Sequence, residues 1–403
     1  MSAYLDHAAT TPVLPQAARV LAEQLARTGN PSSLHASGRA ARRVVEEARE
    51  GLAAALGARP SEVLWTSGGT EADNLAVKGL FWARQAQDPA RRRVLVSAVE
   101  HHAVLDPARW LAEHAGAEVV LLPVDDAGVL VVDALRAELE RAGDRTALVS
   151  VMWANNEVGA LQPLADVVEL AHRAGVPVHT DAVQAVGQVP VDFTATGVDA
   201  LTVSGHKLGG PGGTGALLAR RGLDLTPVLH GGGQERGVRS GSLDAALLAS
   251  FAVAVAEAVG GREAQARRLG ALRDRLVAGA LRAVPDAVLR GPADPARRLP
   301  GNAHLTFPGC EGDSLLFLLD SAGVEASTGS ACQAGVPQPS HVLLAMGLAA
   351  DEARGALRFS LGHTSTEADV DALLEVLPEV VARARAAGLS TVPSLAPAAA
   401  GAR

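Results

Sequence analysis

The sequence predicts an α/β fold, with a large domain on a mainly parallel sheet and a smaller α+β domain. Three observations predict it. Short apolar runs alternate with helix-length segments from Val63 to Lys207, the pattern of a sheet covered on both faces. Polar side chains (Thr70, His101, Asn156, Asp181, Lys207) fall just past those runs, where ligands bind in open α/β sheets. The chain has 403 residues, too many for one small core. The expected layout is a large domain over 14–258 and a small domain formed by 1–13 with 259–387. An Ala/Pro/Ser-rich tail over 388–403 reads as disordered.

Composition narrows the function classes. The net charge of −8 argues against a surface that coats nucleic acid. Two cysteines, Cys310 and Cys332, make no disulfide framework in so long a chain and suit a reducing compartment. Residues Met1 to Asp6 carry no basic and apolar leader, so a cytoplasmic protein is expected. The longest apolar stretch, Ala245 to Ala256, stops at Glu257. It is too short for a bilayer and reads as a buried helix. There is no internal repeat.

The elements follow in order. Tyr4 to Thr11 is extended and breaks at Pro12. A helix is expected from Pro15 to about Arg27, then a loop at Gly29-Asn30-Pro31-Ser32-Ser33. Val44, Val45, Ala48, Leu52 and Leu56 recur at helical spacing, so 38–56 is a helix with one buried face. Val63–Thr66 is a strand that enters Ser67-Gly68-Gly69-Thr70 and then a helix from Ala72 to about Arg84. That turn reads either as an N-cap or as an anion site at a helix N-terminus. Strands are expected at 94–97, 119–122, 147–152, 176–181 and 198–203, with helices at 104–115, 131–141 and 164–174 between them. Past Gly215 come a strand at 216–219, a glycine-rich stretch at 230–242, and two helices, 243–259 and 262–283. Residues 285–301 read as a loop, and strands and helices alternate less regularly beyond it.

Ser204-Gly205-His206-Lys207 carries the chemistry. A lysine held at a strand end with glycines behind it can lose its proton and act on a carbonyl. With Asp181 as a carboxylate, Gly69, Thr70, Ser204 and His206 as phosphate partners, and His101 as a flat stacking partner, the residues fit pyridoxal 5'-phosphate. Gly210-Pro211-Gly212-Gly213-Thr214-Gly215 matches a dinucleotide fingerprint in letters only, since it opens a strand instead of a helix. His179, Asp181, His101 and His206 match no zinc spacing, so no metal is expected.

The chain resembles the cysteine desulfurases, a branch of the class V aminotransferase-like pyridoxal phosphate enzymes, from Tyr4 to about Leu377. The motifs that carry the resemblance span Tyr4–Pro12, Gly29–Ser33, Thr66–Asn74, Glu100–Leu105, Asn155–Gly159, Asp181–Gln184, Ser204–Lys207, Arg236–Ser242, Thr328–Cys332 and Arg358–Gly362. The resemblance implies the pyridoxal phosphate transferase fold of type I. It implies that Lys207 binds the cofactor covalently, that His101 stacks on the ring and moves a proton, and that Asp181 and Gln184 meet the ring's nitrogen and oxygen. Gly69, Thr70, Ser204 and His206 would hold the phosphate, and Asn156 would touch cofactor and substrate. Asn30 and Arg358 would bind the carboxylate of L-cysteine, Arg358 by a two-pronged contact.

Cys332 would attack the substrate sulfur, leaving alanine and a persulfide. It sits in a loop-like stretch, whereas Cys310 reads as structural. Ser242 would reach the phosphate of a partner subunit, so a homodimer is implied. The sulfur would go to an iron–sulfur scaffold or a tRNA-thiolation enzyme. The rival readings are a selenocysteine lyase or another class V pyridoxal phosphate lyase, and a cofactor-binding scaffold that only docks acceptors. The intact set of Lys207, His101 and Cys332 argues against the scaffold.

Overall fold

A computed structural model describes residues 2–329 and 339–390, with side chains to residue 387. β1 (Ala3–Tyr4), α1 (Pro15–Leu25) and α2 (Ala36–Ala55) precede the main sheet. The repeating part runs β2 (Val63–Thr66), α3 (Gly69–Gln87), β3 (Arg93–Ser97), α4 (His102–Ala115), β4 (Glu118–Leu122), α5 (Val132–Ala142) and β5 (Thr146–Ser150). It continues with α6 (Leu164–Arg173), β6 (Val178–Asp181), the one-turn α7 (Phe193–Thr196), β7 (Ala200–Ser204) and β8 (Gly215–Ala219).

These strands form one seven-stranded sheet in the order β2-β8-β7-β6-β5-β3-β4. Only β8 runs against the others. All strands but the edge strand β4 are buried along their whole length, because helices cover both faces. The sheet therefore presents the ends of β2, β3, β5, β6 and β7 on one side, and the polar residues read from the sequence sit there.

α8 (Ala245–Ala283) follows, then β9 (Val288–Arg290), β10 (Asn302–Thr306), α9 (Gly312–Ser321), β11 (Val324–Glu325), α10 (His341–Ala345), α11 (Ala350–Arg354), β12 (Ala356–Ser360) and α12 (Glu367–Ser390). β12, β10 and β9 make a small antiparallel sheet, and β1 pairs with β11. Leu5 and Ala3 thus join the core of this second part, together with Leu305, Phe307, Phe359 and Leu373.

Three sequence expectations change. The two helices placed at 243–259 and 262–283 are one helix of 39 residues. Gly260 and Gly261 cost roughly 1 kcal/mol each against alanine. Packing outweighs that cost. Leu248, Phe251 and Val255 lock the first half into the large core, and Leu269, Leu272 and Leu276 lock the second half into the small one. By length and composition alone α8 would suffice to cross a bilayer, yet its apolar side chains are shared between these two cores. The expected loop at 285–301 contains β9, whose pairing with β10 supplies the order that its Pro, Gly and Arg composition hides. Finally, α12 continues to Ser390, three residues into the expected tail.

Candidate active site

A cavity of about 390 Å³ opens where the strand ends face β12 and the N-terminal segment. Gly69, Thr70, His101, Asn156, Asp181 and Gln184 line it, as do Ser204, His206, Lys207 and Arg358. Asn30 and Ser242 are exposed and do not reach it. Cys332 lies outside the described residues.

Lys207 ends a turn of 3-10 helix directly after β7. Its ammonium donates to the carbonyls of Ala8 at 2.7 Å and Ala9 at 2.6 Å. Burial brings its pKa down from 10.5 to about 8, and the charge of Arg358 adds to the effect, while Asp6 and Asp181 oppose it. The turn is tight because position 205 has no side chain. A Cβ there would lie 2.1 Å from Thr214 Oγ1.

Asp181 closes β6. Burial raises its pKa to about 6, against the pull of the Val183 N–H and of Lys207. The Val183 amide donates to Asp181 Oδ1 at 2.8 Å. Gln184, one turn on, donates from Nε2 to Ala8 O at 2.9 Å. The N-terminal segment is thus a wall of the cavity, held by the same side chains that face its interior.

Beside Val183 and Ser204, α3 begins at Gly69, three residues earlier than the sequence suggested. The first N–H groups of a helix have no intrahelical acceptor, and the helix dipole adds positive potential there. A Cβ on Gly69 would stand 3.1 Å from Val183 Cγ2 and 3.5 Å from Ser204 Cβ, so glycine keeps this approach open. Thr70, Ser204 and His206 add polar groups there, and His206 Nδ1 is 3.3 Å from Thr10 Oγ1.

His101 caps α4. The Ala103 N–H donates to its Nδ1 at 3.1 Å, so Nε2 carries the ring proton. Burial and the neighbouring Lys207 lower its pKa to about 4, so it is neutral at pH 7. Next to it, His102 and His341 meet edge to face at 5.1 Å, and His341 Nε2 lies 2.9 Å from Glu100 O.

Arg358 on β12 is buried. Nη2 donates to Asp6 Oδ1 at 2.7 Å and Nη1 to Asn156 O at 3.0 Å, while Nε is buried and has no partner among the described residues. The fork expected to grip a carboxylate is therefore partly engaged, and Nη1 and Nη2 each keep one further N–H.

Sequence reasoning missed Asp73, Glu157, His102 and His341, which also line the cavity. Asp73 had a readable signal: it shares the i, i+3, i+4, i+7 face with Ala76, Val77 and Leu80, all fully buried. Glu157 is buried, and Ser340 Oγ donates to its Oε2 at 2.5 Å. That link spans 183 residues and has no local signal.

The cavity offers an amine that deprotonates near neutrality, a carboxylate that stays mostly charged at pH 7, a helix N-terminus and a buried guanidinium. Comparison with known proteins follows this chemistry. Residues 3–373 match the family described as aminotransferase class-V. The chain is 59% identical over 388 residues to an IscS-like cysteine desulfurase of Mycobacterium tuberculosis (strain ATCC 25618 / H37Rv), covering 96% of this chain and 98% of that one. It is 45% identical over 385 residues to a cysteine desulfurase of Cereibacter sphaeroides, covering 95% and 96%. A solved NifS-like protein has a TM-score of 0.86 at 34% identity, over 95% of this chain and 100% of that one. A structure described as SspA in complex with cysteine has a TM-score of 0.75 at 32% identity, over 90% and 99%.

Proposed function

Because the chain belongs to the class-V aminotransferase family, and within it to the cysteine desulfurases, we propose that it takes sulfur from L-cysteine, releasing L-alanine and storing the sulfur as a persulfide on Cys332. The observation that carries this reading is Lys207, an amine with a pKa of about 8 set between Asp181 and the start of α3.

Pyridoxal 5'-phosphate fits the residues present. The side-chain-free approach at Gly69, the unpaired N–H groups of α3 and the hydroxyls of Thr70 and Ser204 suit a phosphate. Asp181 suits a protonated ring nitrogen, Gln184 the ring oxygen, and Lys207 the covalent link. When bound, the cofactor supplies an electron-accepting ring that stabilises negative charge on the substrate's Cα.

The chain's own groups do the rest. Arg358 lines the cavity and meets the substrate carboxylate with the N–H groups that its bonds to Asn156 O and Asp6 leave unused on Nη1 and Nη2, a charge-assisted contact. Asn156, whose carbonyl already holds Arg358, lies beside that contact. Lys207, half free of its proton near pH 8, removes the Cα proton. His101, neutral at pH 7 with its proton on Nε2, would lie against the cofactor ring and supply that N–H as a proton donor. The thiolate of Cys332 attacks the substrate sulfur: an S–S bond forms, the Cβ–S bond breaks, and its electron pair stays on carbon; Cβ takes up one proton to become the methyl of alanine, and Cα takes back the proton that Lys207 removed.

The exposed positions of Asn30 and Ser242 support a homodimer in which each serves the partner's cavity. The loop that presents Ser242 is held by two ion pairs, Glu235 to Arg49 at 2.7 Å and Glu71 to Arg239 at 2.7 Å. We take 14–258 as the cofactor-holding domain and 1–13 with 259–387 as the domain that brings Arg358 over it. The persulfide would pass to acceptor proteins in the cytoplasm, an iron–sulfur scaffold or a tRNA-thiolation enzyme.

The test follows alanine release and the mass of the peptide carrying residue 332, in wild type and Cys332→Ala, after mixing with L-cysteine. Alanine together with one added sulfur on Cys332, both absent in the variant, is the expected result. Equal alanine from the variant would replace this reading with a lyase.

A further inference from the structure

Behind Asp181 lies a second carboxyl that the proposed chemistry leaves unused. Asp73 projects from the first turns of α3, is 1% exposed and lines the inner end of the cavity. Its Oδ1 has no hydrogen-bond partner among the described residues. The groups that face it are His179 and Asp181 from β6, Thr202 from β7 and Glu100 from the segment after β3. His179 Nε2 stands 3.5 Å from Asp73 Oδ1, too far for a hydrogen bond. The same nitrogen is 3.1 Å from Thr202 Oγ1, and Nδ1 is 2.9 Å from Ser150 Oγ, so the ring is fully used by hydroxyls.

No cation sits against Asp73 among the described residues. Three buried carboxyls meet here, Asp73, Asp181 and Glu100, and they cannot all keep their charge at low cost. Burial and the nearby Asp181 raise the pKa of Glu100 well above the usual carboxylate value, and the neighbours decide between the other two. Asp181 accepts an N–H from Val183 and feels Lys207, whereas Asp73 has only the Thr202 hydroxyl, a weaker stabiliser of charge. Burial and the proximity of Asp181 both raise the pKa of Asp73 well above the usual carboxylate value.

We propose that Asp73 is a positioning residue, held as a neutral carboxylic acid behind Asp181 so that this end of the cavity carries one negative charge. A neutral polar group there supplies a dipole to Asp181 without competing for its charge. The proposal deepens the cofactor reading of this site, but the protonation of Asp73 stands without it.

The experiment compares wild type with Asp73→Asn and Asp73→Leu. Infrared difference spectra of the cofactor-free protein at pH 7 test the proton directly. A protonated-carboxyl band, shifted in heavy water, should be lost in Asp73→Asn; its absence from the difference overturns the proposal. In the pyridoxal phosphate-loaded protein, Asp73→Asn should keep the pH midpoint of the visible band and the cofactor affinity. Removal of a real charge would move that midpoint by roughly one unit or more, which would also overturn it. Asp73→Leu, which removes the dipole, should weaken cofactor affinity about tenfold beyond any change in thermal midpoint. Unchanged affinity would mean that Asp73 does not act through Asp181. If no variant, nor the wild type, bound the cofactor, the functional reading would fail while the infrared result still decided the state of Asp73.

Discussion

At pH 7.5 the amine of Lys207, with its pKa of about 8 in place of 10.5, should be unprotonated in about one molecule in four, against about one in a thousand for an ordinary lysine. That is a gain of about 200-fold in reactive amine. The sequence contains only two lysines, Lys78 and Lys207, so labelling can be read residue by residue. The cofactor-free protein is treated with an amine-selective reagent across roughly pH 6 to 11, digested, and the two lysine peptides are followed by mass spectrometry. The Lys207 peptide should reach half its maximal rate near pH 8.

Arg358→Gln removes a charge that lowers this pKa and should move the midpoint up, whereas Asp6→Asn removes one that raises it and should move the midpoint down. Stability should follow with a definite sign. The folded pKa lies below the unfolded one, so the unfolded chain binds the proton more tightly. The penalty is full below pH 8 and fades as pH rises to 10.5. It amounts to about 2–3 kcal/mol after allowance for solvent that enters the cavity. A midpoint at the ordinary lysine value, or Arg358→Gln and Asp6→Asn shifting it in the same direction, would refute the reasoning.

Glu235→Gln should lower stability by about 2–3 kcal/mol in urea unfolding, because it leaves the buried Arg49 with only the half-exposed Glu46 as counter-ion. Glu235 accepts from Arg49 Nη1 at 2.8 Å, Arg49 Nη2 at 2.7 Å and Trp65 N at 3.0 Å. The apolar pair Arg49→Met with Glu235→Leu should recover most of that loss. Gly205→Ala should cost about 1–3 kcal/mol by overpacking, since the new Cβ would displace Thr214 Oγ1 from its 2.7 Å bond to Pro211 O. Because Gly205 sits between Ser204 and His206, cofactor affinity should fall with the thermal midpoint.

The alternation of apolar runs and helical periods was enough to find every strand of the main sheet, because all but the edge strand β4 are buried on both faces and so continuously apolar. Lys207, Asp181 and His101 were legible for the complementary reason: a polar group at the end of such a strand has few structural uses. What stayed hidden was set by contacts remote in sequence. Gly260 and Gly261 look like a helix end until the two cores on either side are known. The link from Ser340 to Glu157 and the grip of Ala8 and Ala9 on Lys207 join residues far apart in the chain, and no window of sequence contains both partners. Asp73 was overlooked although its helical face was visible, since an aspartate just past the first turn, close to Glu71, reads as ordinary helix chemistry.

The single helix α8 has a mechanical consequence. Thirty-nine residues make a shaft roughly 58 Å long, with Gly260 and Gly261 near its middle. The end that packs into the large core is fixed to the sheet bearing Lys207, and the other end packs against β10 and α12, beside the strand that carries Arg358. A bend of about 5° at the glycines would displace the far end by roughly 2.5 Å over half that length. A slight flexure at Gly260 and Gly261 would therefore change the gap between the guanidinium and the amine.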